Sequence, residues 1–192
     1  MADNLFFTSD THFFHKAILR MCADTRKGND IDDMHEILIN NWNSRVGIKD
    51  TVYILGDFSF AKSKKTLSIL ERLNGILHLV KGNHDYWIDD TTRGFFESIS
   101  DIKTINVNGQ EVMMCHYPVV DWKNMSQGAY HFHGHTHGDL ILPGKAIDVG
   151  IDARPQKDMG IWSWEELDAL MKERPILPRH YGKLKVVLEE TS

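Results

Sequence analysis

Short apolar runs separated by polar, glycine-containing segments dominate the first half of the chain. Leu5–Thr8, Thr51–Leu55 and Ile76–Val80 have the length and the β-branched or aromatic content of buried strands. The spacing of apolar residues between these runs predicts a helix over Asp30–Trp42 and a second helix that ends at Gly75. Strand and helix therefore alternate in this half, as they do in α/β proteins.

The second half of the chain is richer in strands. Two strands over 104–107 and 111–114 flank Asn108-Gly109, a pair typical of a type I′ hairpin turn. Tyr130–His133, Ala146–Val149 and Lys185–Leu188 read as further strands, and Ser163 with Glu166 forms the capping box of a last helix. The whole pattern predicts an α/β sandwich over residues 1–192, in a single domain.

Composition and charge narrow the class of protein. The chain has 192 residues and a net charge of −5, which argues against binding of a long nucleic-acid duplex, because phosphate backbones reward clustered Lys and Arg. Its two cysteines fit neither a disulfide scaffold nor a Cys-x-x-Cys pair. We see no signal peptide and no apolar stretch of membrane-spanning length. We therefore expect a cytoplasmic protein without a membrane partner.

Side chains that bind metals follow five of the predicted strands. Loops at the carboxyl ends of strands converge on one crevice in α/β sheets, so five such loops would gather their ligands into one site. Seven ligands exceed the need of one ion and suit two ions about 3.5–4 Å apart. Mixed imidazole and carboxylate donors favour Mn, Fe, Zn, Co or Ni over Ca or Mg. The predicted ligands are Asp10, His12, Asp57, Asn83, His116, His135 and His137.

These motifs resemble a known family. Asp-x-His, Gly-Asp, Gly-Asn-His-Asp, a lone His and Gly-His-x-His occur in the order seen in the calcineurin-like metallophosphoesterases, and the match runs from Asp10 to about Asp152. The resemblance implies two mixed β-sheets packed as a sandwich and flanked by helices, with the active site at the carboxyl ends of the strands. It also implies the ligand assignment: one metal is held by Asp10, His12 and His137, the other by Asn83, His116 and His135, and Asp57 bridges them.

The resemblance also implies a reaction. His84 would protonate the leaving oxygen while a hydroxide that bridges two metal ions, with Mn expected first, attacks phosphorus directly. The expected substrates are small phosphodiesters, or phosphomonoesters, such as nucleotides and cyclic nucleotides. Two alternatives stay open: a nuclease acting on short or single-stranded nucleic acid, and a protein-binding scaffold of the same fold that lacks catalysis.

Some positions depart from the pattern or lie near it. Protein phosphatases of this superfamily have an Asp that pairs with the catalytic His and an Arg that grips phosphate, where this chain has Phe60 and Ala61. Asp85 is then either the partner of His84 or a group that binds the backbone. We expect substrate contacts from His15 and Arg154. A cap of the first helix is an equal alternative for His15, and an exposed structural role is the simpler interpretation of Arg154.

Four further residues lie in or next to the loops that carry the predicted ligands. His131 and His133 are not needed as ligands and are expected to pack or to face solvent. Trp87 and Trp122 follow ligand loops and would stack on a base unless they belong to the core.

Overall fold

In the computed structural model, which describes residues 4–178, the strands form two mixed sheets. The strands of this part of the chain are β1 (Leu5–Thr8), β2 (Thr51–Ile54), β3 (Ile76–Val80), β4 (Phe96–Ser100), β5 (Ile102–Val107), β6 (Gln110–Cys115), β7 (Tyr130–His133), β8 (Ala146–Asp148) and β9 (Trp162–Ser163). The first sheet has the order β4-β3-β2-β1-β9, and the second has the order β5-β6-β7-β8. In the first sheet β1 to β4 are parallel and β9 is antiparallel to β1. In the second, β5 and β6 form an antiparallel hairpin, and β6, β7 and β8 are parallel.

Helices flank the two sheets. The helices are α1 (Ile18–Met21), α2 (Ile31–Arg45), α3 (Ser63–Leu70), α4 (Asp90–Arg93) and α5 (Trp164–Glu173). None of those between residues 4 and 178 is long and apolar enough to cross a lipid bilayer. The described part of the chain thus has the sandwich architecture and the flanking helices that the resemblance implied.

The alternation of side chains along the strands explains why two sheets pack face to face. Phe6 and Val52 point outward and join a core that includes Trp42 of α2. Their neighbours Phe7 and Tyr53 point inward and join a second core with residues of β6 and β7. β1 and β2 therefore bury both of their faces, as parallel strands usually do.

Most predicted elements are present, with shifted ends. Helix α2 begins after Asp30, whose side chain accepts a hydrogen bond from the backbone of Asp33, and α5 begins with the predicted capping box. Asn108 and Gly109 both have positive φ, as a type I′ turn requires. Helix α3 ends at Leu70 instead of near Gly75. The strand predicted over 185–188 lies outside the described residues.

The carboxyl ends of the strands of both sheets meet at one edge. Ser9, just after β1, forms a parallel bridge with Gly150, just after β8. This bridge joins the first sheet to the second where the loops that carry the predicted ligands emerge.

Candidate metal centre

The predicted ligands form two neighbouring groups at this edge. The ligand atoms of Asp10, His12 and His137 all lie within 4.8 Å of one another. Those of Asp57, His116 and His135 do the same. Asn83 belongs with the second group, since its Oδ1 lies 3.1 Å from His116 Nε2. All seven side chains are therefore brought together by the fold.

Asp57 lies between the two groups. Its Oδ2 is 3.8 Å from His12 Nε2, and its Oδ1 is 3.6 Å from His116 Nε2. These distances are too long for hydrogen bonds. They are short enough for both atoms of each pair to contact one cation, because metal–ligand bonds are about 2.0–2.2 Å long. One oxygen of Asp57 thus faces each group, which is the geometry a bridging carboxylate needs.

Two buried atoms of the first group lack hydrogen-bond partners. Asp10 Oδ1 and His12 Nε2 are unpaired and lie 3.6 Å apart. Burial alone would raise the pKa of Asp10, but the imidazoles of His12, His116 and His137 hold it at about 2. A charged, buried and unpaired oxygen is costly unless a cation neutralises it. The chemistry of this donor set therefore fits a bound metal ion.

Hydrogen bonds set the orientation of two of the ligand histidines. His116 Nδ1 donates to the carbonyl oxygen of Leu55 at 2.7 Å, and His137 Nδ1 donates to Asp152 Oδ2 at 2.7 Å. An imidazole that donates through Nδ1 leaves Nε2 free to bind a metal. Each ring thus presents Nε2 as its ligand atom.

Arg26 and Asp152 form a buried ion pair behind the first group. The guanidinium donates to both carboxylate oxygens of Asp152, at 2.8 and 2.7 Å. It also donates to the carbonyl oxygens of Thr11, at 2.9 Å, and Asp10. Although burial opposes it, the bonds from His137 and Arg26 hold the pKa of Asp152 well below its usual range. Arg26 therefore ties the Asp10–His12 segment to the carboxylate that orients His137.

Two more carboxylates shape the ligand loops through the backbone. Asp85 accepts hydrogen bonds from the backbone N–H groups of Asp57, Phe58 and Gly82. Asp148 accepts from the hydroxyl of Thr136 and from the backbone of Gly138 and Gly150. Asp85 is therefore a group that binds the backbone and not the partner of His84.

His84 stands at the exposed side of the centre. Its side chain is 37% exposed, and its Nε2 lies 3.9 Å from Asp57 Oδ2. The ring of Phe60 lies beside it, with the ring centres 4.2 Å apart. His15 also stacks on Phe60, with the ring centres 3.9 Å apart, and its Nδ1 is 3.2 Å from His12 Nδ1. Burial lowers the pKa of His15 to about 4, so this ring is neutral at pH 7.

Comparisons with known proteins agree with this arrangement. The sequence profile of the calcineurin-like phosphoesterase superfamily domain matches residues 4–143. The chain belongs to the calcineurin-like phosphoesterase superfamily. Its members are typically hydrolases that depend on metals, and the two groups of ligands described above fit that chemistry.

Proteins similar to this chain come from an archaeon, a phage and a bacterium. An uncharacterized protein of Methanocaldococcus jannaschii is 33% identical over 166 residues, which cover 82% of this chain and 86% of that protein. The gene 66 protein of Mycobacterium phage L5 is 30% identical, covering 78% of this chain and 87% of its own. A protein of unknown function from Aquifex aeolicus has a solved structure with a TM-score of 0.68 and 26% identity, covering 88% of this chain and 99% of that one.

The structure does not support the expected substrate contact of Arg154. The side chain of Arg154 is buried, and its guanidinium donates to Asp158 at 2.9 Å and to the carbonyl oxygen of Ile161 at 3.0 Å. It also lies over the ring of Trp162, 4.7 Å from its centre. Its donors are therefore used within the fold, and Arg154 has a structural role, although a buried one and not the exposed one that was the simpler interpretation.

The remaining histidines and tryptophans near the centre belong to the core. His131 and His133 are both 0% exposed, so they pack and do not face solvent. Trp87 and Trp122 are buried, and their indole N–H groups donate to Asp85 and to the carbonyl oxygen of Ala129. Neither tryptophan presents a face on which a base would stack.

Proposed function

We propose that this protein hydrolyses phosphodiester bonds of small substrates such as nucleotides at a centre of two divalent metal ions. The observation that carries the proposal is Asp57, whose two oxygens face two separate groups of ligands. The unpaired Asp10 Oδ1 and His12 Nε2 support it, since both need a cation. Mn is the ion we expect, and Fe, Zn, Ni and Co suit the same mixture of imidazole and carboxylate.

Two divalent ions in this position would lower the pKa of a coordinated water to about 7 and offset the charge of the phosphate. The protein supplies the positions of the groups. Asp10, His12, Asp57 and His137 are held by the contacts of Arg26 and Asp152 and by the backbone bonds of Asp85 and Asp148. These contacts leave the ligand atoms oriented toward a shared space.

His84 has the role of a general acid in this proposal. Hydrolysis forms a bond from phosphorus to a water oxygen and breaks the bond from phosphorus to the leaving oxygen, which needs a proton. His84 supplies that proton from a ring that is both near Asp57 and open to solvent. We expect His15, whose neutral ring stacks on Phe60, to contact the substrate.

A protein-binding scaffold is the weaker interpretation. A scaffold has no need for a full set of ligands, and a buried polar cluster without a cation is destabilising. In this chain all seven ligands are present, and His84 is exposed beside them.

The test is a side-by-side assay of two chromogenic esters. The protein is stripped of metal, reloaded with Mn, and given bis-p-nitrophenyl phosphate and p-nitrophenyl phosphate. We expect hydrolysis of the diester that requires the added metal. Cleavage of the monoester alone would make the protein a phosphatase. A protein that binds two ions and cleaves neither ester, nor any nucleotide in a wider screen, would favour the scaffold.

A further inference from the structure

A pocket beside the candidate metal centre has no role in the chemistry described so far. It has a volume of about 370 Å³. Phe60 belongs to both the pocket and the centre, because its ring lies 4.2 Å from that of His84 and 5.0 Å from that of His12. We call it the lysine pocket. Its lining consists of Phe14, Phe60, Ala61, Lys62, Lys64 and Lys65.

The charge of the lysine pocket is positive and not neutralised by ion pairs. Lys62, Lys64 and Lys65 are exposed. Within residues 4–178, the lysines that form ion pairs are Lys81, Lys123 and Lys172, so these three form none. Three cations within residues 61–65 stand out in a chain whose net charge is −5.

Among residues 4–178, no carboxylate forms an ion pair with these three lysines. Asp89 contacts the hydroxyl of Ser63 in α3 and accepts hydrogen bonds from the backbone N–H groups of Thr91 and Thr92 at the start of α4. A second pocket, of about 430 Å³, adjoins His137 on another side of the centre, and there cations are mixed with Asp24, Asp139 and Asp152. Of these two openings, the lysine pocket alone suits an anion.

The position of His84 decides which part of a substrate would reach the lysine pocket. If His84 protonates the leaving oxygen, the leaving group emerges on the His84 side of the centre. The ring of Phe60 lies beside His84, and Phe60 lines the same pocket as the three lysines. A leaving group that continues past Phe60 therefore enters the lysine pocket.

We propose that the lysine pocket binds a second phosphate, carried on the leaving group of the substrate. This inference rests on the proposed function and narrows it. Lysine is a common phosphate ligand that acts as a point charge. Phe60 and Phe14 add apolar side chains to the lining of the pocket, and the ammonium group of Lys65 lies over the ring of Phe14. Substrates with a single phosphate, such as cyclic mononucleotides, cannot use the pocket.

Two kinds of molecule carry such a second phosphate: a short nucleotide chain and a nucleoside polyphosphate. Both would present a phosphate group to the lysines, and the substrates chosen for the test distinguish between the two kinds of molecule. A thymidine dinucleotide has one phosphate, a trinucleotide has two, and thymidine 5′-triphosphate has a polyphosphate chain.

The variant for the test combines Lys62→Ala, Lys64→Ala and Lys65→Ala. Because these side chains are exposed, the variant should fold like the wild type. The control combines Lys49→Ala, Lys123→Ala and Lys172→Ala, which removes the same number of positive charges from exposed positions outside the pocket. The surface ion pairs of Lys123 and Lys172 that it also removes contribute little to stability.

Activity is measured as kcat/KM with Mn. We expect the wild type and the control to prefer a substrate with a second phosphate over the dinucleotide by about tenfold or more, which is the scale of one charge-assisted contact. The pocket variant should lose this preference and still cleave bis-p-nitrophenyl phosphate within about twofold of the wild-type rate. A preference for the trinucleotide would identify a nucleotide chain, and one for the triphosphate a polyphosphate.

Binding is measured separately, without metal. In EDTA, the anisotropy of a fluorescein-labelled thymidine tetranucleotide reports its Kd. For the pocket variant we expect a Kd about tenfold higher than that of the wild type and a weaker dependence of this Kd on salt concentration. If the pocket variant lost binding of the tetranucleotide but the wild type hydrolysed no ester, the lysine pocket would be supported as an anion site and the proposed function would be refuted. Equal preference and equal Kd in wild type, pocket variant and control would refute the lysine pocket, even if every ester were cleaved.

Discussion

His131 should make the stability of this protein fall sharply in mild acid. Its side chain is 0% exposed. Its Nε2 accepts a hydrogen bond from the backbone N–H of Val119 at 3.0 Å, and its Nδ1 donates to the carbonyl oxygen of Met113 at 3.2 Å. This pattern requires the neutral ring. Burial accordingly lowers the pKa of His131 from 6.5 to about 4.

The size of the effect follows from these two values. A shift from 6.5 to about 4 is roughly 2.5 units, and each unit corresponds to 1.36 kcal/mol, which gives about 3 kcal/mol. Below pH 6.5 the unfolded chain binds a proton at His131 that the folded protein excludes. The free energy of unfolding therefore decreases as the pH falls from about 6.5 to about 4, and the contribution is fully present only above that window.

The assay is urea unfolding of metal-free protein between pH 7.5 and pH 4, for the wild type and for His131→Gln. Glutamine offers an acceptor near the position of Nε2 but does not titrate in this range. The stability advantage of the wild type over the variant should shrink by about 3 kcal/mol across the window. Two curves that run parallel would refute the reasoning. The metal content of the variant should equal that of the wild type, because His131 is not a predicted ligand.

Three further substitutions test the candidate metal centre. Asp57→Asn should weaken binding at both metal positions, and two ions per chain at wild-type affinity in a metal titration would contradict the bridging role. His84→Ala should keep the metals but slow cleavage of alkyl phosphodiesters by about 10²–10⁴-fold, with a smaller effect on p-nitrophenyl esters; an unchanged alkyl rate would mean that His84 is not the acid. Asp152→Asn should lower metal affinity by about 10–100-fold, because His137 loses its charged acceptor, and an unchanged affinity would reduce Asp152 to a purely structural group.

The positions of the predicted ligands in the fold could be read from the sequence because their signals are local. Asp10, Asp57 and Asn83 each follow a parallel strand within a few residues, so the strand pattern alone places them at one edge of the sheet. The pair of Arg26 and Asp152 was missed because its members are 126 positions apart and neither belongs to a motif of the ligands. The same limit explains the error at Arg154, since only its packing against Trp162 and its bond to Asp158 show that its donors are taken.

Elements without a strong pattern were also missed. β9 contains only Trp162 and Ser163, and it exists because it pairs with Phe6 and Phe7 of β1. Phe96–Ser100 lacks a continuous apolar run, and its place beside β3 is set by pairing that includes a register shift near Leu77. Pairing between distant segments decides such short strands, and no window of sequence contains that information.

The backbone at the ligands shows how the centre is held in place. Five of the seven predicted ligands have φ in the left-handed region, which costs a residue with a side chain about 1–2 kcal/mol. Their φ values are 55° at Asp10, 52° at His12, 50° at Asp57, 71° at His135 and 50° at His137. Glycine would relieve this strain but would supply no ligand atom. The strained loops are instead fixed by Arg26, Asp85 and Asp148, whose bonds to the backbone are made entirely within the protein. These hydrogen bonds of the fold therefore hold the loops that carry the predicted ligands in place.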